Sequence, residues 1–153
     1  TNEDYEFNVR VRRSGGRIWL DPQIRSTYLA RPTLAALARQ YARYGFWKWR
    51  MLRRYPASLR WRQALPPLFV AGILLGSILA IFWTVFGYLL AGALLLYLAA
   101  LAAVGVQTAL GAKKGFLLVG VPLAIATMHT AWGSGFLWSM IKGFFHSGDA
   151  TRK

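Results

Sequence analysis

Hydrophobic and polar positions divide this chain into three stretches. Residues 1–32 are mostly polar, with short apolar runs. From Thr33 to Arg62 the pattern has helical period: Leu34, Leu37, Tyr41, Tyr44, Met51, Leu52 and Tyr55 fall on one face, and Arg39, Arg43, Arg50, Arg53 and Arg54 on the other. This predicts a helix over 33–55 lying in a membrane interface, its apolar face in the acyl boundary and its basic face outward. From Ala64 to Ala112, 49 residues pass without one charged side chain. A membrane-spanning helix needs about 20 apolar residues, so this run holds two. A third apolar stretch follows Lys113-Lys114. The expected spans are 66–86, with Gly87-Tyr88 as a turn, then 89–110 and 115–141. A tail occupies 146–153.

Local signals fill in the first stretch. Thr1 to Ser14 reads as a helix. Thr1 or Asn2 can cap it, the acids Glu3, Asp4 and Glu6 complement its positive end, and Glu6–Arg10 is an i,i+4 pair. Gly15-Gly16 stops it. Arg17 to Asp21 alternates as a short strand would, Pro22 ends it, and Ile24 to Leu29 reads as a second extended piece. Pro32 disfavours helix at Arg31, and Thr33 can cap the next helix. Pro56 closes that helix, and Ser58 can start a short basic turn into Pro66-Pro67.

Charge sharpens the division. The formal net charge is +14, and 14 of the 19 basic residues lie at or before Arg62. Such a balance points to an anionic partner, and the uncharged spans favour membrane lipid over nucleic acid. The basic flank before Pro66 and the Lys113-Lys114 loop both belong on the cytoplasmic side by the positive-inside rule. Three spans then put the C-terminus outside, whereas Lys142, Arg152 and Lys153 favour a re-entrant third segment. The chain has no cysteine, which excludes disulfides and thiolate metal sites.

The candidate chemistry is sparse. Five acids exist, so each can be weighed. Glu3 and Asp4 open a helix, where capping is the simple role. Asp21 precedes Pro22 and suits a turn, and Asp149 lies in the polar tail. Gln40 and Arg43, at i,i+3, can reach one ligand together: a guanidinium forks onto phosphate, and an amide bonds a sugar hydroxyl or phosphate oxygen. Tyr44 adds aromatic surface beside them. Lipid-headgroup contact explains the same residues. His129 is the one ionisable residue inside an expected span, read as neutral and bonded to Thr127, Thr130 or a backbone carbonyl. Gly72-x-x-x-Gly76 and Gly133-x-Gly135 permit close helix approach. No Walker loop, zinc spacing, Ser/His/Asp set or dinucleotide fingerprint occurs.

Taken in order, Glu3-Asp4, Arg10 and Arg13, Gly16 with an extended segment, Pro22, and Gln40-x-x-Arg43-Tyr44-Gly45 before apolar helices make a familiar series. It resembles the C-terminal part of inverting family 2 membrane glycosyltransferases of GT-A fold, of the succinoglycan exopolysaccharide type, and the resemblance covers essentially the whole chain. It implies the end of an α/β GT-A domain (helix, short strands, interfacial helix) over 1–62, followed by a membrane domain of three spans over 63–145. It implies Asp4 as general base, with Glu3 as the competitor, and Gln40, Arg43 and Tyr44 as substrate-binding residues. Tyr44 stands where processive synthases carry Trp.

The resemblance further implies a nucleotide-sugar donor, a lipid-linked or saccharide acceptor, and a divalent metal, Mg or Mn. The metal ligands and the nucleotide-binding half are expected upstream of Thr1, since this chain contains no Asp-x-Asp, so the chain reads as part of a longer one. The expected setting is a multi-pass protein of a bacterial inner membrane with its catalytic part in the cytoplasm. The competing reading is a non-enzymatic basic anchor or scaffold binding anionic lipid.

Overall fold

The computed structural model describes residues 3–56 and 60–147. The expected caps Thr1 and Asn2, the side chain of Glu3, Ser58, and the tail from residue 148 with Asp149, Arg152 and Lys153 lie outside the described residues. Five helices follow one another: α1 (Glu3–Arg13), α2 (Leu34–Arg54), α3 (Trp61–Phe82), α4 (Thr84–Ala112) and α5 (Leu117–Ser147).

The architecture corrects the expected α/β GT-A end. Among the described residues there is no strand. Arg17–Asp21 and Ile24–Leu29 form no ladder, because a strand needs a neighbour to take its backbone N–H and C=O groups and no other extended segment lies beside them. Their apolar side chains stand in the open: Trp19 and Leu20 are each 88 % exposed. Asp21 does serve as the turn residue, its Oδ1 accepting from the Gln23 N–H at 2.9 Å.

α1 ends where glycine permits. Gly15 takes φ +80°, and the Gly16 N–H returns to the Val11 carbonyl at 2.8 Å. Glu6 meets Arg54 of α2 at 3.8 Å rather than its expected neighbour Arg10, and the Arg13 guanidinium lies 4.7 Å over the Tyr55 ring. So α1 rests against the C-terminal end of α2 through exposed charged contacts, which hold it weakly.

α2 is capped as the sequence requires, the Thr33 hydroxyl accepting from the Ala36 N–H at 3.2 Å. Arg39, Arg43, Arg50, Arg53 and Arg54 are all exposed, and Gly45, Lys48 and Met51 are buried. The two faces are therefore as expected, and the inner one has a partner within the chain. It packs along α5. A Cβ on Gly135 would collide with the Ala42 carbonyl, and one on Gly45 with the Trp132 carbonyl. Further on, the Trp49 and Phe136 rings sit 5.4 Å apart and the Gly143 position meets Arg53. The contacts advance together along both chains, so α2 and the second half of α5 run in the same direction.

Three helices, Trp61–Phe82, Thr84–Ala112 and Leu117–Phe144, are long and apolar enough to cross a membrane. Their bounds differ from those expected. α3 begins at Trp61 because the Gln63 side chain accepts from the Arg60 N–H at 3.3 Å. Pro66 and Pro67 are carried inside the helix. The break to α4 falls at Trp83, in extended conformation, which any residue adopts, so the glycine at 87 is not needed there and continues in α4. α4 lies antiparallel to α3, with Phe69 beside Tyr97 and Leu90 beside Gly76. Lys113, in left-handed conformation, turns the chain into α5. Gly105 of α4 lies against Leu118 and Pro122 of α5.

Candidate functional site

The motif residues gather at the N-terminal half of α2. Gln40 is the hub. Its Oε1 accepts from Arg31 Nε at 2.8 Å, and its Nε2 donates to the Tyr28 and Tyr44 hydroxyls at 3.2 and 2.5 Å. The segment before Pro32 is thereby folded back onto α2. Tyr41 stands edge-on to Tyr44 at 5.6 Å. Burial, with Tyr28 and Tyr44 nearby, pushes its phenol above the usual tyrosine value. Gln40 is thus committed inside the chain on both amide ends. The groups it presents outward are the Tyr28 hydroxyl, free to donate because it accepts from Gln40, and the exposed Arg43 one turn further on. This patch suits sugar hydroxyls and phosphate oxygens.

The expected base is not brought to this patch. α1 touches α2 at Arg54 and Tyr55, which lie 14 residues beyond Gln40, about 21 Å along a helix. Asp4 lies about 200° around α1 from Glu6, the residue that faces α2, and is exposed. The structure therefore joins Gln40 to Tyr44, with Arg43 beside them, and leaves Asp4 apart.

Sequence reasoning missed Lys48. Only 3 % of it is exposed, on the face of α2 that meets α5. Desolvation, then the Arg60 charge, depress its ammonium from 10.5 to about 8. The signal was available: Lys48 sits in the 3–4 spacing Tyr41, Tyr44, Lys48, Met51, Tyr55, inside the apolar stripe. His129 bonds neither expected threonine. Its Nδ1 pairs with the Tyr97 hydroxyl of α4 at 3.1 Å, while the Thr127 and Thr130 hydroxyls each donate to carbonyls of their own helix at 2.7 Å.

A basic amphipathic helix packed along the third of three apolar helices fits a membrane-associated chain with a basic surface. The chain is similar to the succinoglycan biosynthesis protein ExoA of Rhizobium meliloti (strain 1021), being 32 % identical over 143 residues. That alignment takes in 94 % of this chain, which spans about two fifths (41 %) of that relative's length. No protein-family model matches the chain, and neither does any solved structure.

Proposed function

We propose that this chain is the C-terminal, membrane-attached part of an inverting glycosyltransferase of exopolysaccharide biosynthesis. It moves a sugar from a nucleotide-sugar donor to a lipid-linked or saccharide acceptor. The observation that carries this reading is the similarity along 94 % of the chain to a succinoglycan biosynthesis protein. The Tyr28–Gln40–Tyr44 patch supports it, since it offers hydroxyl and guanidinium donors of the kind that hold sugars and phosphates.

In this reading one displacement occurs at the anomeric carbon. The acceptor oxygen bonds to that carbon, the bond to the nucleoside diphosphate breaks, and the acceptor's hydroxyl proton passes to a carboxylate, assigned to Asp4. Arg43 and its neighbours stabilise the departing negative charge. The exposure of Asp4 on the side of α1 away from α2 suits a site completed by residues upstream of Thr1. The divalent metal is assigned in this reading to residues upstream of Thr1, and no step here runs through it.

The setting is a bacterial inner membrane with residues 1–62 in the cytoplasm. Arg50 and Arg53 of α2 line one cavity with Ser139 and Lys142 of α5, which supports reading the third helix as strongly tilted or re-entrant. The test is transfer of labelled sugar from nucleotide-sugar donors by membranes containing the full-length protein. Lipid or polysaccharide product is expected. Membrane binding without transfer from any donor would favour the anchor reading.

A further inference from the structure

The two ends of the Gln40 amide are chemically unlike: Oε1 only accepts hydrogen bonds and Nε2 only donates them. Arg31 decides which way round the amide lies. Its Nε–H stands 2.8 Å from Oε1. A guanidinium carries no acceptor and keeps its charge, so the reversed amide would set donor against donor. Nε2 is thereby turned to the Tyr28 and Tyr44 hydroxyls, at 3.2 and 2.5 Å. An amide nitrogen has two N–H groups, one for each phenol. Both phenol oxygens accept, and the proton of each points away from the amide. A reversed amide would instead draw both protons inward to Oε1.

Arg31 is placed to hold this arrangement. Pro32 follows it with a fixed φ. Thr33 caps α2 through the Ala36 N–H, and its carbonyl accepts from the Leu37 N–H at 3.0 Å. The guanidinium therefore reaches Gln40, nine residues on in sequence, from a stiff corner. Tyr28 is 74 % exposed, so the proton that Gln40 turns away can meet a ligand. The exposed Arg43, three residues after Gln40, adds a guanidinium close by.

We propose that Arg31 is a positioning residue that holds the Gln40 amide one way round and so makes the Tyr28 hydroxyl a donor to phosphoryl oxygens. The groups then presented, the Tyr28 hydroxyl and the Arg43 guanidinium, both donate. A phosphoryl group accepts on its free oxygens and brings no donor of its own, whereas a sugar hydroxyl brings one. The relay from Arg31 through Gln40 to Tyr28 stands on this geometry alone. That a phosphate arrives here rests on the transfer reading above, in which a nucleoside diphosphate departs.

The experiment is equilibrium binding of inorganic pyrophosphate to the full-length protein in a neutral detergent, beside steady-state sugar transfer. Saturable binding is expected. Tyr28→Phe keeps the ring and loses the proton, and should weaken binding about three- to tenfold, as one hydrogen bond does. Arg31→Met frees the amide to turn round and should weaken it several-fold. Arg31→Lys restores a donor to Oε1 and should recover most of that loss. Gln40→Glu should weaken binding at least as much as Tyr28→Phe, because a carboxylate accepts from Arg31 and draws both phenol protons inward. Amide exchange over residues 24–31 should be no faster in that variant, since the segment stays tied to α2. Adding Tyr28→Phe to Gln40→Glu should cost nothing more, because the proton is already lost to the ligand. Methyl glucoside should compete only weakly.

A merely structural network predicts parent-like binding in Gln40→Glu. A simple charge effect predicts the full Tyr28→Phe loss over again in the Gln40→Glu background. Either result overturns the proposal, as does a parent that binds no pyrophosphate, a silent Tyr28→Phe, no recovery in Arg31→Lys, or equal competition by methyl glucoside. The two readings fail separately. The expected binding pattern without sugar transfer from any donor keeps the relay and removes the transfer reading. Transfer with kcat and KM unmoved by Tyr28→Phe and Arg31→Met removes the relay and keeps that reading.

Discussion

Gly135 of α5 lies directly against the backbone carbonyl of Ala42 of α2, leaving no room for a Cβ. Two residues earlier, Gly133 lies against the carbonyl of Pro66 of α3. Residues two apart on a helix point to nearly opposite sides, so this Gly-Ser-Gly step lets α5 touch a different helix on each flank. The basic helix is thereby fixed to the apolar bundle by backbone contact.

Gly135→Val should detach α2 from α5. The added atoms meet backbone, which cannot swing aside, so the cost should be at least the roughly 1–3 kcal/mol of an overpacked core. Gly72→Ala is the matched control, since nothing lies within 4 Å of a Cβ there. Thermal unfolding in detergent should show a lowered midpoint for Gly135→Val and little change for Gly72→Ala. Equal midpoints for the two would refute the close seam.

Much of this was legible beforehand. Period and charge located α2 and its two faces, and the uncharged run located the apolar helices. The partner of the inner face was not legible. Tyr41, Tyr44 and Leu52 suit acyl chains and a neighbouring helix equally well, and the close approaches of Gly45 to Trp132 and of Gly135 to Ala42 emerge only in the fold. The strands failed for a related reason. Alternation over Arg17–Asp21 describes a segment that could pair, while pairing depends on a neighbour that the described residues lack. Gln40 was found by its motif, yet its bonds to Arg31 and Tyr28 span 9 and 12 residues of sequence, which helical spacing does not reveal.

Lys48 should make stability depend on alkaline pH. Its folded value, about 8, lies below the ordinary 10.5. Between those values the unfolded chain holds more proton than the folded one, so stability rises with pH across that window. Below about pH 8 the full penalty of the buried charge applies. Lys48→Met keeps the length of the side chain and removes the charge. It should be more stable than the parent at pH 7 and should show a flatter slope from pH 8 to 10.5 in denaturant titrations. Parallel pH profiles for parent and variant would exclude Lys48 as the source.

Arg43→Ala should lower transfer by the full-length enzyme far more than Arg39→Ala. Both are exposed arginines of α2, equally able to meet headgroups, but only Arg43 stands beside the Gln40–Tyr44 pair. Gln40→Ala should act differently. It releases Arg31, Tyr28 and Tyr44 together, so KM should rise along with a fall in kcat. Steady-state kinetics of the three variants checks this, and equal losses for Arg39→Ala and Arg43→Ala would reduce the patch to a lipid contact.

Asp4→Asn separates catalysis from capping. Asp4 opens α1, where the unpaired N–H groups and dipole of a helix start favour an acidic side chain. If that local role were its whole purpose, asparagine would serve about as well, because Asn and Asp are comparable at helix starts. As the general base, the same change removes the proton acceptor and should cost about 10² to 10⁴ in transfer rate, with donor binding and membrane insertion intact. Glu3→Gln should cost less. The position of Asp4 makes the contrast clean: it is exposed and turned away from the Glu6–Arg54 contact, so its substitution leaves the docking of α1 on α2 undisturbed. Transfer rate and donor affinity measured together give the answer. A near-normal rate in Asp4→Asn would assign the residue to the helix and move the search for the base upstream of Thr1.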